Sequence, residues 1–215
     1  MRQSFHFIFL VIITMCTISF MKIDGYELPL LGKTIYLDAG HGGVDVGANY
    51  KNIYEKDINL SIVKILASKL ENMGATVYLT RYGDYDLSNV GVRYRKKSDL
   101  YNRAKVINNS NADIYVSIHL NSTTSSIWRG AQVFYDDINN NNASLAQSIT
   151  KALNTNRESL EISAMYFNRL VRVPGVLIEA GFLSNSYDRN NLINEDYQEE
   201  LSDMIIKGII DYFAL

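Results

Sequence analysis

Two histidines and two glutamates in this 215-residue chain are of the right types, in the right places, to do hydrolytic chemistry. His41 lies within TIYLDAGHGGVDVGA, residues 34–48, among Gly40, Gly42, Gly43 and Gly47. Glycines let a backbone take positive φ and pass close to another group. A core histidine needs no such freedom, so the loop reads as a bend that turns an imidazole toward a pocket. The competing reading is a phosphate cradle. A P-loop needs Lys followed by Ser or Thr after its last glycine, and GANYKN supplies no such pair. A dinucleotide fingerprint needs a helix directly on the glycine turn, whereas the next helical pattern begins near Tyr54. His119 ends the run DIYVSIH, and Glu179 sits near the end of GVLIEAGF.

These residue types suit a catalytic zinc ion better than a structural one. A structural site wants four protein ligands, commonly cysteines, while a catalytic site wants three nitrogen or oxygen ligands and an open position for water. His41 and His119 supply two. The third is expected to be a carboxylate at the start of the helix after the glycine loop, where YEKDINL offers Glu55 and Asp57. Glu55 is the better choice if it begins the helix and points back at the loop; Asp57 would then face solvent and favour the helix N-terminus. Glu179 is set in a very apolar context, which raises a carboxyl pKa unless a partner opposes it, as a general base requires. Taken singly, each histidine is equally consistent with a structural role, and Glu179 with a buried ion pair. Together at strand ends they point to a site.

The elements that must position them alternate between strand and helix. TIYLD (34–38), ATVYLT (75–80), DIYVSIHL (113–120), AQVFY (131–135) and GVLIEAGF (175–182) read as strands. Helical spacing runs over 55–73 through Ile58, Ile62, Ile65, Leu66 and Leu70, with Gly74 closing it. Further helices are expected from Ser98 through Ile107, near 143–153, and over 197–213. This order predicts an α/β fold, a three-layer sandwich with a mostly parallel twisted sheet flanked by helices. In such sheets ligands sit beyond the carboxyl ends of the strands, where His41, His119 and Glu179 all fall.

A formal charge of −2 argues against nucleic acid as a principal partner. Residues 5–21, FHFIFLVIITMCTISFM, form the one strongly apolar stretch. They read as an uncleaved membrane anchor, with a cleaved signal peptide as the alternative. The expected organisation is therefore 1–22 anchor or signal, 23–32 linker, and 33–215 catalytic domain, exported and facing the cell wall. The lone cysteine, Cys16, lies inside the apolar stretch, so the remainder carries no disulfide and must be held by packing.

LDAGHGGVDVGA, EKDINL, VYLTR, DLYNRAKVIN, ADIYVSIHLNS, GAQVFY and PGVLIEAGFLSN, in that order, resemble the zinc-dependent N-acetylmuramoyl-L-alanine amidases from about Lys33 to the C-terminus. Ala39 departs from the family's usual proline, which should alter loop stiffness and not the ligand set. The resemblance implies that His41, Glu55 and His119 bind one Zn2+, that Glu179 is catalytic, and that the substrate is peptidoglycan. Arg81 and Asn121 look like supporting polar residues. YRKKSDLYNRAKVIN, NTNR and RLVRVPGVLIEAGFLSN are further similar to the germination-specific amidases of endospore formers. That resemblance implies removal of stem peptides so that spore-cortex muramic-δ-lactam can form for germination, with an accessory protein or membrane confinement in place of wall-binding repeats. The alternatives are a general autolysin of the same chemistry, a zinc carboxypeptidase acting on stem peptides, and an inactive wall-binding protein.

Overall fold

The structure is a computed structural model that describes residues 28–163 and 166–215. The expected anchor, 1–22, and linker residues 23–27 lie outside the described residues. Among those described, no helix is long and apolar enough to cross a membrane.

The chain forms β1 (Thr34–Ala39), β2 (Asn49–Tyr50), β3 (Ile53–Tyr54), α1 (Glu55–Asn72), β4 (Thr76–Leu79), α2 (Arg95–Asn108), β5 (Ile114–Asn121) and β6 (Gln132–Tyr135). It continues through α3 (Asn142–Ala152), β7 (Leu160–Glu161), β8 (Gly175–Phe182), α4 (Ser186–Leu192) and α5 (Glu195–Phe213). The main sheet has the order β4-β1-β5-β8-β6-β7. Its neighbours are parallel except β6 and β8, which run antiparallel. The expected α/β sandwich is therefore present, with one reversed strand.

Strand alternation divides the sheet into two unequal faces. Ile35, Leu37, Val116, Ile118, Val176 and Ile178 point to one side, where they meet Ile62, Leu66 and Leu70 of α1 and Ile205 and Ile209 of α5. Repetition every four residues puts the α1 side chains on one stripe, and burying each contributes about 1.5–3 kcal/mol. The opposite face carries Tyr36 and Tyr115, covered by Ala104 and Ile107 of α2 and by Phe167 and Val171. That thinner layer leaves the carboxyl ends of β5 and β8 reachable from outside. His119 and Glu179 share this face.

Helix boundaries differ from the sequence expectation where capping was the guide. α2 starts at Arg95, a turn before the expected Ser98, and its N-cap is Tyr94. The Ser98 hydroxyl instead accepts from the Asn89 N–H at 3.0 Å, tying down the preceding loop. α4 was not expected at all. It and α5 begin at asparagines, Asn185 and Asn194, whose side chains accept from the free N–H groups of the first turn. α1 ends as expected, with Gly74 at φ +91°.

Candidate active site

β1 delivers the chain into the glycine loop immediately after Ala39, and the loop is fixed from beneath by two guanidinium groups. Arg81 and Arg103 are each only 1% exposed. Arg81 donates to the carbonyls of Ala39 (2.9 Å), Gly40 (3.1 Å) and Lys56 (2.7 Å). Arg103 donates to Ala39 O at 2.7 Å and to His41 O. It also pairs with Asp38 at 2.8 Å and Asp99 at 2.9 Å. Burial alone would raise the Asp38 carboxyl, but the Arg103 charge and hydrogen bonds from Ser117 and Thr80 hold it below the usual range. Breaking a buried pair of this kind typically costs about 3–5 kcal/mol, because a charge is left uncompensated. The Ala39 carbonyl thus takes two guanidinium hydrogen bonds, a hold on the loop that requires no proline ring at this position.

The loop can then do what few loops do, which is to carry a histidine in left-handed backbone. His41 has φ +62°, a conformation uncommon for residues other than glycine. Two glycines make room around it. A Cβ at Gly40 would lie 2.3–2.6 Å from three atoms of the His119 ring. One at Gly47 would lie 2.5 Å from Glu55 Oε2 and 2.7 Å from the His41 ring. Both positions are glycine because an imidazole or carboxylate occupies the space of a side chain.

His41, Glu55 and His119 converge, each offering one ligand atom within 4.8 Å of the others. Glu55 Oε1 lies 3.1 Å from His41 Nε2 and 3.1 Å from His119 Nδ1. The carboxylate is oriented on both oxygens: Oε2 accepts from the Ala48 N–H at 2.7 Å, and Oε1 from the Leu120 N–H at 3.0 Å. Burial opposes ionisation of Glu55, yet the two histidines outweigh it and hold the group strongly ionised. Behind His41, an Asp45 oxygen sits 3.0 Å from Nδ1, the usual place for a carboxylate that fixes a ligand imidazole. Asp57 is exposed on the first turn of α1, away from the cluster.

This donor set fits a metal ion. Two imidazoles and a carboxylate suit a site with an open position, and ligand atoms bonded tetrahedrally at zinc distances stand about 3.3 Å apart. The two 3.1 Å separations lie close to that value.

Glu179 stands beside the cluster, not in it. β5 and β8 pair with His119 opposite Glu179, so the two side chains rise from the same face of adjacent strands. Burial raises the Glu179 carboxyl to about 7, with the Glu55 charge adding to the rise and His119 and His41 opposing it. Its Oε2 is buried without a hydrogen-bond partner among the described residues. Both glutamates and both histidines line one cleft of about 410 Å3. Asn121 also lines this cleft, and its carbonyl accepts from the Leu183 N–H at 2.8 Å. Sequence reasoning missed Arg103, Asp38, Asp45 and Asn59. Asn59, one turn after Glu55, donates to Gly40 O at 3.2 Å.

Residues 35–211 match the family model described as N-acetylmuramoyl-L-alanine amidase. The chain is 39% identical to the germination-specific N-acetylmuramoyl-L-alanine amidase of Bacillus subtilis, over 98% of this chain and 94% of that protein. Among solved structures, the CwlD amidase from Clostridioides difficile in complex with the GerS lipoprotein is similar at TM-score 0.81 and 39% identity, covering 85% of this chain and 99% of that one. An N-acetylmuramoyl-L-alanine amidase from Clostridium difficile 630 follows at TM-score 0.75 and 33% identity, over 85% and 97% of the two chains. With its family model running from the first strand to the last helix and taking in the cleft, the chain belongs to the N-acetylmuramoyl-L-alanine amidases.

Proposed function

We propose that this amidase holds one zinc ion through His41 Nε2, Glu55 Oε1 and His119 Nδ1, with Glu179 as the general base. The observation that carries the proposal is the pair of 3.1 Å approaches to a single Glu55 oxygen, beside Glu179, whose Oε2 has no hydrogen-bond partner among the described residues. Zinc, when bound, supplies Lewis acidity to a carbonyl oxygen and lowers the pKa of water. Glu179 takes a proton from the attacking water, whose oxygen bonds to the lactyl carbonyl carbon. As the carbon–nitrogen bond breaks, Glu179 returns the proton to the amine of L-alanine. The Arg81 and Arg103 hydrogen bonds keep the His41 backbone in place throughout.

Mass spectrometry of digested peptidoglycan tests the chemistry. Free lactyl groups and intact stem peptides are expected; loss of a terminal D-amino acid would indicate a carboxypeptidase. A second expectation concerns ligand placement. Gly40→Ala should weaken zinc affinity by about 10–100-fold, the usual effect of disturbing groups that orient ligands, because the new methyl occupies the His119 ring position. Competition with a chromophoric chelator measures this, and unchanged affinity would remove Gly40 from the account.

The similarity to a germination-specific amidase supports a role at the spore cortex, with export through the segment at residues 5–21. The accessory lipoprotein named with the similar solved amidase supports a partner in delivery. Deletion is then expected to give spores whose cortex lacks muramic-δ-lactam, while vegetative cells separate normally. Normal lactam, or chained cells, would favour a general autolysin.

A further inference from the structure

The cleft of about 410 Å3 holds the reacting amide and its immediate neighbours, but not a sugar strand together with a complete stem peptide. The rest of the substrate must lie on adjoining surface, and one wall of the cleft continues outward. Lys96, Leu100 and Tyr166 line the catalytic cleft and also the next depression, which adds Tyr94, Arg95 and Lys97. A third depression shares Tyr94, Lys97 and Tyr166 and extends the groove to Arg93 and Tyr101. Tyr94 is 68% exposed and Tyr166 43%.

Pairing within the fold accounts for only part of the charge of this groove. Arg95 pairs with Asp86 at 2.7 Å and Lys96 approaches Asp45 at 3.6 Å. Arg93 and Lys97 form no salt bridge among the described residues; they lie instead over the rings of Tyr94 (5.5 Å) and Tyr166 (5.8 Å). Three cations open α2 with no acid in its first turn, an order that opposes the helix dipole and costs stability.

We propose that the groove receives the stem peptide on the L-alanine side of the scissile amide, with its free carboxylates at Lys96, Lys97 and Arg93. Its aliphatic portions lie on Tyr94, Leu100 and Tyr166. Charge decides between the two halves of the substrate. The sugars are uncharged once the lactyl carboxyl is in amide linkage, whereas the peptide carries several carboxylates. This inference rests on the amidase reading of the cleft and adds a specificity-determining surface to it.

The test uses the full zinc-loaded chain and two soluble compounds, an N-acetylmuramoyl tetrapeptide and the same compound with its carboxylates converted to carboxamides. Arg93 and Lys97 are exposed, so the double variant Arg93→Ala with Lys97→Ala should fold. It is expected to raise KM for the free acid roughly five- to tenfold, the combined worth of two exposed charge pairs. KM for the carboxamide should rise several-fold less than KM for the free acid. Calorimetric binding of the same compounds to Glu179→Gln, with and without the double change, should give the same ratio without turnover. Equal effects on both compounds, or no effect on either, would each overturn the proposal. If the parent chain cleaves neither compound, the amidase reading fails, and calorimetry still scores the groove.

Discussion

Glu179→Gln is expected to lower kcat by roughly 100- to 10,000-fold, the span that a positioned general base contributes, while zinc content stays at one per chain. The substitution keeps shape and hydrogen-bonding capacity and removes only the ability to take a proton. Glu179 is suited to that task by its surroundings. Burial raises its carboxyl to about 7, and no group among the described residues claims Oε2. A residue that merely supported the fold would show itself differently, since its loss would lower the melting temperature in step with activity. Steady-state rates on a muramoyl peptide, taken together with elemental analysis and thermal unfolding, separate these outcomes. A variant within a few-fold of the parent would exclude Glu179 from the chemistry.

His119→Ala should behave in the opposite way, losing most of its zinc and its activity with it. On the proposed ligand set, the loss should exceed the roughly 10–100-fold effect of altering an outer partner, because two protein ligands would be left where a catalytic site uses three. It also removes the ring that lies 3.1 Å from Glu55 Oε1. Zinc measured after dialysis should fall well below one per chain in His119→Ala and remain at one in Glu179→Gln. Full zinc in His119→Ala would show that the ligand set is wrong.

The elements that place these groups were legible in the sequence wherever a period was strong. Ile58, Ile62, Leu66 and Leu70 mark α1 unmistakably, and the apolar runs around His119 and Glu179 mark the central strands. Strand ends then predict a common edge without coordinates. The pairing of His119 with Glu179 was not legible, because strand order is set by packing between distant segments. Arg103 was equally hidden. In DLYNRAKVIN it looks like a solvated helical residue, and only the folded chain carries it beneath the loop to Asp38. The early start of α2 was missed for a related reason. Ser98 reads as a cap, whereas Arg95, Lys96 and Lys97 before it are already helical despite their like charges.

The metal centre is tested most directly by a crystal structure of the zinc-loaded protein with anomalous scattering collected at the zinc edge. One peak is predicted in the cleft, within bonding distance of His41 Nε2, Glu55 Oε1 and His119 Nδ1, with Glu179 beyond that distance. A peak bonded to Glu179, or one located away from these three atoms, would contradict the division into three ligands and one base.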